Sequence, residues 1–142
     1  MKKRSPLKRQ SAKGKLKKQD YAAARKAQDQ QIMESEGQIN CVSCGCTLVG
    51  PSGQGVSMGW AHSHNLSVGH FKHLEIDPEN FKPRCMACHV MLDDIRDFEI
   101  ISKFIDFEQL MEYRRVNSVS AYNQWVGCLI AIGVTDYQYI TR

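Results

Sequence analysis

The chain has 142 residues and a formal net charge of +4, and it lacks an apolar run near the roughly 20 residues that a membrane-spanning helix requires. This length suffices for one modest domain with a tail. Because the basic N-terminus is followed by polar residues, we expect no secretory signal, no membrane partner and a cytoplasmic location, where cysteines stay reduced and available to metals.

The positive charge is concentrated at the N-terminus. Residues 1–19 contain nine Lys or Arg and no acidic residue, whereas ten basic and fifteen acidic residues follow. So polar a segment cannot bury enough apolar surface to fold alone, and we predict a disordered basic arm over 1–19 that is attracted to phosphates. A solubilising tail is the alternative interpretation. The arm residues expected to contact nucleic acid are Lys2, Lys3, Arg4, Lys8 and Arg9.

Two segments lead into the centre of the chain. From Asp20 to about Ser35 the sequence is rich in Ala, Gln, Arg and Glu, which predicts a helix within 20–37, with Asp20 as N-cap and Gly37 as its stop. Its apolar stripe is thin, so we expect weak packing against the body. Residues 50–59 contain four glycines and a proline and are predicted to form a loop.

Two Cys-x-x-Cys pairs frame the next segment, Cys41 with Cys44 and Cys85 with Cys88. This spacing predicts a four-cysteine zinc site in which each pair forms a knuckle and the thiolates complete a tetrahedron. In so small a body the zinc would contribute directly to the free energy of folding. Cys46 is a fifth candidate, interpreted as a spare thiol that could take the place of Cys44.

The five histidines lie within 28 residues of one another. His62 and His64 alternate, so in an extended strand both rings project to one face and can share a metal or a phosphate. Asn80 follows, and His89 begins the next helix, which predicts the order strand, loop, strand, Asn, helix. The set is His62, His64, His70, His73 and His89.

The remainder, residues 96–142, is predicted to be a helical extension. A helix from Met86 to about Asp94 precedes it, Asp106 is a candidate cap, and a last helix begins near Ser118 and ends before Gly133. Apolar residues at helical spacing indicate burial. The residues assigned to the core are Phe98, Ile101, Phe104, Ile105, Phe107, Leu110, Met111, Tyr122, Trp125, Val126, Cys128, Leu129 and Ile130.

The segments 41–45, 74–80 and 85–89 together resemble the HNH endonuclease family, most closely small phage proteins such as the lambdoid NinG (Rap) recombination nucleases. The resemblance covers roughly residues 40–93. It implies an α+β fold with a ββα-metal (HNH) core over 38–95 and four-cysteine zinc knuckles, flanked by helices and by the disordered basic arm. It also implies a phage-encoded, metal-dependent endonuclease that acts on DNA in the host cytoplasm, in recombination or DNA processing.

The resemblance further implies roles for single residues. His64 would be the general base on water, Asn80 would orient its imidazole, and His89 would hold a catalytic Mg²⁺, Mn²⁺ or Ni²⁺. Many members of the family carry an acidic metal ligand beside the first histidine. This chain has none there, so His62 is expected to serve as the substitute ligand.

The identity of the base stays open at this point. An alternative alignment on Ala61-His62-Ser63 favours His62, and another on Gly69-His70-Phe71 favours His70. Of the three histidines, we predict that His64 is the general base.

Lys72, Lys82 and Arg84 lie near the proposed site in the sequence and are expected to contact phosphate. The expected partner is DNA, duplex or branched, and a homodimer is left open. The competing class is a non-catalytic zinc module that binds nucleic acid or a protein. The missing acidic ligand and the acidic body favour that class.

Overall fold

The structure is a computed structural model that describes residues 12–53, 61–95 and 97–141. It combines helices with two small antiparallel sheets, as the α+β prediction requires. None of the helices in these ranges combines the length and the apolar character needed to cross a bilayer. The elements are α1 (Ala12–Glu36), β1 (Ile39–Asn40), β2 (Thr47–Val49), β3 (Ala61–His64), a 3₁₀ turn (Lys72–Leu74), β4 (Phe81–Arg84), α2 (Met86–Asp94), α3 (Phe98–Ile101), α4 (Phe107–Asn117) and α5 (Val119–Ala131).

Helix α1 is longer than the sequence predicts. It includes residues 12–19, so Asp20 lies inside the helix and is not its cap. The prediction of disorder is therefore wrong for 12–19. The Lys, Gln and Leu found there are good helix formers, although the lysines are charged. Gly37 ends the helix as predicted, with φ at +75° and its N–H donating to the Met33 carbonyl at 2.9 Å.

Some predictions fall outside the described residues. These include the five basic residues Lys2, Lys3, Arg4, Lys8 and Arg9, and the part of the predicted loop from 54 onward. Of that loop, Gly50–Gly53 forms a turn.

The centre of the fold is a hairpin covered by a helix. Strands β3 and β4 pair antiparallel, with His62 opposite Pro83 and His64 opposite Phe81. Helix α2 packs against both strands and completes a ββα unit. The second strand follows Asn80 and does not precede it, so the predicted order is wrong on this point. Residues between Leu66 and Asn80 form turns and the 3₁₀ turn instead of a strand.

A single apolar core joins this unit to the C-terminal helices. Ile39, Leu48 and Cys88 belong to the same buried cluster as Trp125 of α5. The ring of Phe107 stacks on that of Trp125 with 6.0 Å between centroids. The region of the cysteine pairs and residues 97–141 therefore stabilise each other by burying a common surface.

Two core assignments are wrong. Ile105 is 70% exposed and Ile130 is 45% exposed. Helix α3 ends at Ile101 and α4 starts only at Phe107, so no continuous helical repeat carries Ile105 to the buried face. Cys128 is only partly buried.

Candidate metal centre and histidine site

Four cysteines lie close enough to hold one metal ion. The sulfurs of Cys41, Cys44, Cys46 and Cys85 are all within 4.8 Å of one another. A tight turn produces this arrangement, because the N–H of Cys41 donates to the Cys46 carbonyl at 2.7 Å and the N–H of Gly45 donates to the Cys41 carbonyl at 2.9 Å. Gly45 has φ at +83°, a conformation that other residues rarely adopt.

The set of ligands predicted from the sequence contains Cys88, whereas the group found in the structure contains Cys46 in its place. Cys88 is buried on α2, and its thiol interacts with those of Cys44 and Cys85. Five thiols therefore lie close together, and Cys46 belongs to this group instead of being a spare thiol. Spacing alone could not reveal this, because only the folded turn brings Cys46 back beside Cys44.

The electrostatics of the cluster favour a cation. Burial raises the pKa of Cys44, but hydrogen bonds from Cys46, Cys41 and Cys85 outweigh it and bring that pKa down to about 7. Burial and the neighbouring Cys44 raise the pKa of Cys46 to about 12. All five thiols are free of disulfides. Four soft sulfur donors within 4.8 Å of one another fit a zinc ion, which would replace the thiol protons.

His62 and His64 share one face of β3, as the alternation predicts. Their rings lie 6.0 Å and 5.8 Å from the ring of Phe81, which faces them from β4. His64 Nε2 is 3.0 Å from the Glu75 carbonyl oxygen. Since a carbonyl only accepts, Nε2 carries the proton and the lone pair of the neutral ring is at Nδ1. Burial lowers the pKa of His64 below its usual value, against the opposing effects of Glu75.

Helix α1 contacts both histidines. The side chain of His62 is only 3% exposed, and its Nε2 lies 2.8 Å from Asp29 Oδ1. The Tyr21 ring lies 5.3 Å from the ring of His64, and its hydroxyl donates to the His62 carbonyl at 3.5 Å. Gln28 donates to the Phe81 carbonyl at 2.9 Å. The prediction of weak packing for α1 overlooked these polar contacts.

Asn80 is buried, and its side-chain amide forms hydrogen bonds with the backbone of the connection between β3 and β4. Oδ1 accepts from Leu66 N–H at 2.8 Å, while Nδ2 donates to the carbonyls of Leu66 and Leu74 at 3.0 and 3.1 Å. Asn80 therefore makes no hydrogen bond to an imidazole of the described residues. It holds the loop next to Glu75, whose carbonyl orients His64.

His89 lies on the face of α2 that carries Asp93 one turn later. His89 Nε2 is 3.3 Å from Asp93 Oδ2. Its Nδ1 is buried and has no hydrogen-bond partner within the described part of the chain. Helix α2 packs against β3, so His89 and Asp93 belong to the same ββα unit as His62 and His64.

The unpartnered Nδ1 of His89 can accept a divalent metal, while Asp93 lies at the opposite ring nitrogen, Nε2. The fit is incomplete, since across residues 12–53, 61–95 and 97–141 only the cysteines form a group of three or more metal donors. His62, the other predicted ligand, has its Nε2 directed to Asp29.

Arg84 is not a phosphate contact. It is 1% exposed and is surrounded by protein acceptors: Nη2 lies 2.6 Å from Asp106 Oδ2, Nη1 donates to the Ser63 carbonyl at 2.8 Å and Nε to Ser43 Oγ at 2.9 Å. The prediction is wrong because β4 turns this side chain towards the first knuckle and the residue before α4. The guanidinium instead holds three segments together.

The other predicted cations remain at the surface. Lys72 is exposed, and Lys82 is half-buried with Nζ 3.7 Å from Glu79. His70 is exposed and lies outside the histidine pair on β3.

Sequence reasoning missed Asp29, Tyr21 and Glu75. Asp29 precedes His62 by 33 residues and belongs to no motif, so no local signal could have paired them. Glu75 acts through its backbone, which has the same carbonyl whatever the side chain.

Comparison of the chain with protein-family models, with curated proteins and with solved structures found no match.

Proposed function

We propose that this protein is a metal-dependent endonuclease of the HNH type, which hydrolyses phosphodiester bonds in DNA. The observation that carries the proposal is the packing of β3, on which His64 Nε2 is bound to the Glu75 carbonyl, against α2, which carries His89 and Asp93. Such hydrolysis needs a proton acceptor, here His64 on a strand of the ββα unit, and a metal ligand, here His89 on its helix.

His64 would act as the general base. Its lone pair at Nδ1 takes a proton from water as the water oxygen attacks phosphorus. The lowered pKa of His64 keeps the ring neutral near pH 7, so it is ready to accept that proton. Glu75 keeps the ring from rotating, and Asn80 keeps the loop that carries Glu75 in place.

His89 would hold the catalytic Mg²⁺, Mn²⁺ or Ni²⁺, with Asp93 beside it. A divalent metal there would stabilise negative charge on the phosphate and on the leaving oxygen. Asp93, at the opposite nitrogen Nε2, would fix the orientation of the His89 imidazole. The imidazole of His89 makes a softer site than oxygen ligands alone, which favours Mn²⁺ or Ni²⁺ over Mg²⁺.

The cysteine cluster has a structural role in this proposal. Zinc bound there would join the first knuckle to the start of α2, which carries His89. The basic arm and Lys72 would supply affinity for the DNA backbone without sequence preference. A phage-encoded recombination or DNA-processing nuclease fits this combination.

A second candidate is a non-catalytic zinc module that binds nucleic acid or a protein. It is favoured by one observation, namely that the cysteines are the only group of three or more metal donors in the described ranges. A binding module would need the cysteine cluster but not His64.

The test is cleavage of supercoiled plasmid by the zinc-loaded protein with Mg²⁺, Mn²⁺ or Ni²⁺. Branched and single-stranded DNA serve as further substrates. Wild type is compared with His64→Ala, His62→Ala and, as a matched surface control, His73→Ala, since His73 is exposed. The proposal expects metal-dependent nicking that His64→Ala loses and His73→Ala keeps, whereas loss in His62→Ala alone would identify His62 as the base. Folded, zinc-loaded wild type that binds DNA but cleaves none of these substrates would favour the binding module.

A further inference from the structure

The C-terminal helices reach the proposed site at the residue that directly follows His64. Asn65 is 5% exposed, and its Nδ2 donates to the Leu110 carbonyl of α4 at 2.9 Å. Its backbone N–H donates to the Asn80 carbonyl at 2.8 Å. The end of β3 is therefore held from the side of β4 and from the side of α4.

Arg114 of α4 binds the same residue with two nitrogens. Nε donates to Asn65 Oδ1 at 2.8 Å, and Nη2 donates to the Asn65 carbonyl at 2.7 Å. The guanidinium lies 3.7 Å from the centre of the Trp125 ring, which fixes its plane. Two parallel donors on one plane restrict both the side chain and the peptide group of Asn65.

This arrangement is costly if it serves only to fill the core. Arg114 is 7% exposed, and it makes no ion pair within the described residues. Burying a guanidinium is unfavourable unless its donors are satisfied, and an apolar residue would fill the same space without that penalty. Here Nε and Nη2 both donate to the one residue adjacent to the proposed base, and Nη1 donates to the Ala121 carbonyl at 3.4 Å.

We infer that Asn65 and Arg114 form a clamp that positions His64 for the proposed reaction. The inference rests on the proposed function and assigns the helices α4 and α5 a part in it. Rotation of the peptide between His64 and Asn65 would move the His64 ring relative to the Glu75 carbonyl and to Asp93. A displacement of about 1 Å at a reacting group can lower a rate on the order of 100-fold.

The test uses Arg114→Lys in the full-length, zinc-loaded protein. Lysine keeps the charge but has no planar pair of donors for Asn65. We expect kcat for plasmid nicking to fall about tenfold or more, with KM little changed, because the DNA-binding surface is untouched. Asn65→Ala removes the other half of the clamp and is expected to give the same pattern.

Two core variants control for simple loss of stability. Ile101→Val and Leu129→Ala remove buried apolar atoms on α3 and α5, at side chains that are 0% and 1% exposed. The control used is the one whose unfolding midpoint matches that of Arg114→Lys. Equal kcat values in the control and in Arg114→Lys would overturn the clamp as a positioning device.

A spectroscopic measurement separates this inference from the proposed function. The ¹⁵N signals of the His64 ring, recorded at a pH where the ring is neutral, report whether Nε2 still carries the proton. Arg114→Lys and Asn65→Ala should average the two tautomers, whereas the core control should keep the wild-type signals. If wild type cleaves no DNA, the proposed function fails and these signals alone decide about the clamp. Unchanged signals in both clamp variants would overturn it.

Discussion

His64 Nε2 lies 3.0 Å from the Glu75 carbonyl oxygen, and this contact fixes which ring nitrogen can accept a proton. The nitrogen that remains is Nδ1. The side chain of Glu75 acts on His64 only through its charge, which raises the pKa of His64, so Glu75→Gln leaves the ring neutral near pH 7 and should leave cleavage nearly intact.

The first prediction concerns pH. Burial lowers the pKa of His64, so the neutral ring persists to lower pH than that of an exposed histidine with a pKa of about 6.5. The acid limb of kcat/KM should therefore lie below about pH 6.5, with activity lost as the pH falls through the pKa of His64. Tyr21→Ala uncovers the ring and should move this limb upward, while Tyr139→Ala, at an exposed tyrosine, should not. A limb that stays in place in Tyr21→Ala would contradict the assignment of His64 as base.

The second prediction concerns Asn80. Asn80→Ala leaves the N–H of Leu66 and the carbonyls of Leu66 and Leu74 without their partner. Each unsatisfied buried group costs about 1–3 kcal/mol, so the free energy of unfolding in urea should fall by about 3 kcal/mol or more. Asn80→Asp keeps an acceptor but loses both donations, so it should also be destabilised.

Asn117 provides the control, since it is an exposed asparagine that also donates to a backbone carbonyl, that of Tyr113. Asn117→Ala should change stability by no more than about 0.5 kcal/mol. Similar losses for Asn80→Ala and Asn117→Ala would show that the loop does not depend on Asn80.

The third prediction concerns the five converging thiols. Cys41, Cys44 and Cys85 belong both to the sequence-based set and to the group found in the structure, while Cys46 and Cys88 compete for the fourth place. Each single variant, Cys46→Ser or Cys88→Ser, should keep about one zinc per chain, because zinc needs four ligands. The double variant leaves three thiols and should lose the metal and unfold.

Elemental analysis of the purified proteins measures the zinc content, and Cys128→Ser serves as a control outside the cluster. Complete loss of zinc in one of the two single variants would identify that cysteine as indispensable and refute the exchange. Unchanged zinc in the double variant would place the metal elsewhere.

The fourth prediction concerns the buried pair of Arg84 and Asp106, with 2.6 Å between Nη2 and Oδ2. Asp106→Ala leaves a guanidinium that is 1% exposed without its counter-charge, which should cost about 3–5 kcal/mol of stability. Asp106→Asn keeps the shape and one acceptor and should lose less. Glu99→Ala breaks an exposed ion pair with Lys103 and should change stability by at most about 1 kcal/mol. Urea unfolding compares the three, and equal effects of Asp106→Ala and Glu99→Ala would contradict the network.

Local signals in the sequence predicted the later helices well. Ser118 caps α5 by accepting from the Ala121 N–H at 3.2 Å, and Trp125 and Leu129 are buried on it as their spacing indicates. A cap and a buried stripe depend on residues within two turns of each other, so the sequence displays them directly.

The parts that sequence reasoning missed depend on distant residues. Three contacts join residues that are far apart in the sequence. Asp29 contacts His62 across 33 residues, and Arg114 donates to Asn65 across 49. Arg84 donates to Asp106 across 22 residues. Charged side chains in isolation are expected at the surface, and only tertiary structure provides the partners that allow burial. For the same reason Arg84 was wrongly assigned to phosphate binding.

The most direct test of the central claim is the single-turnover rate of plasmid nicking with Mn²⁺, measured for zinc-loaded wild type and for His64→Ala at equal DNA occupancy. General-base catalysis by His64 predicts a rate that falls on the order of 100-fold or more in the variant, with DNA binding and zinc content unchanged. Equal rates for the two proteins, or no nicking by folded wild type, would contradict the claim.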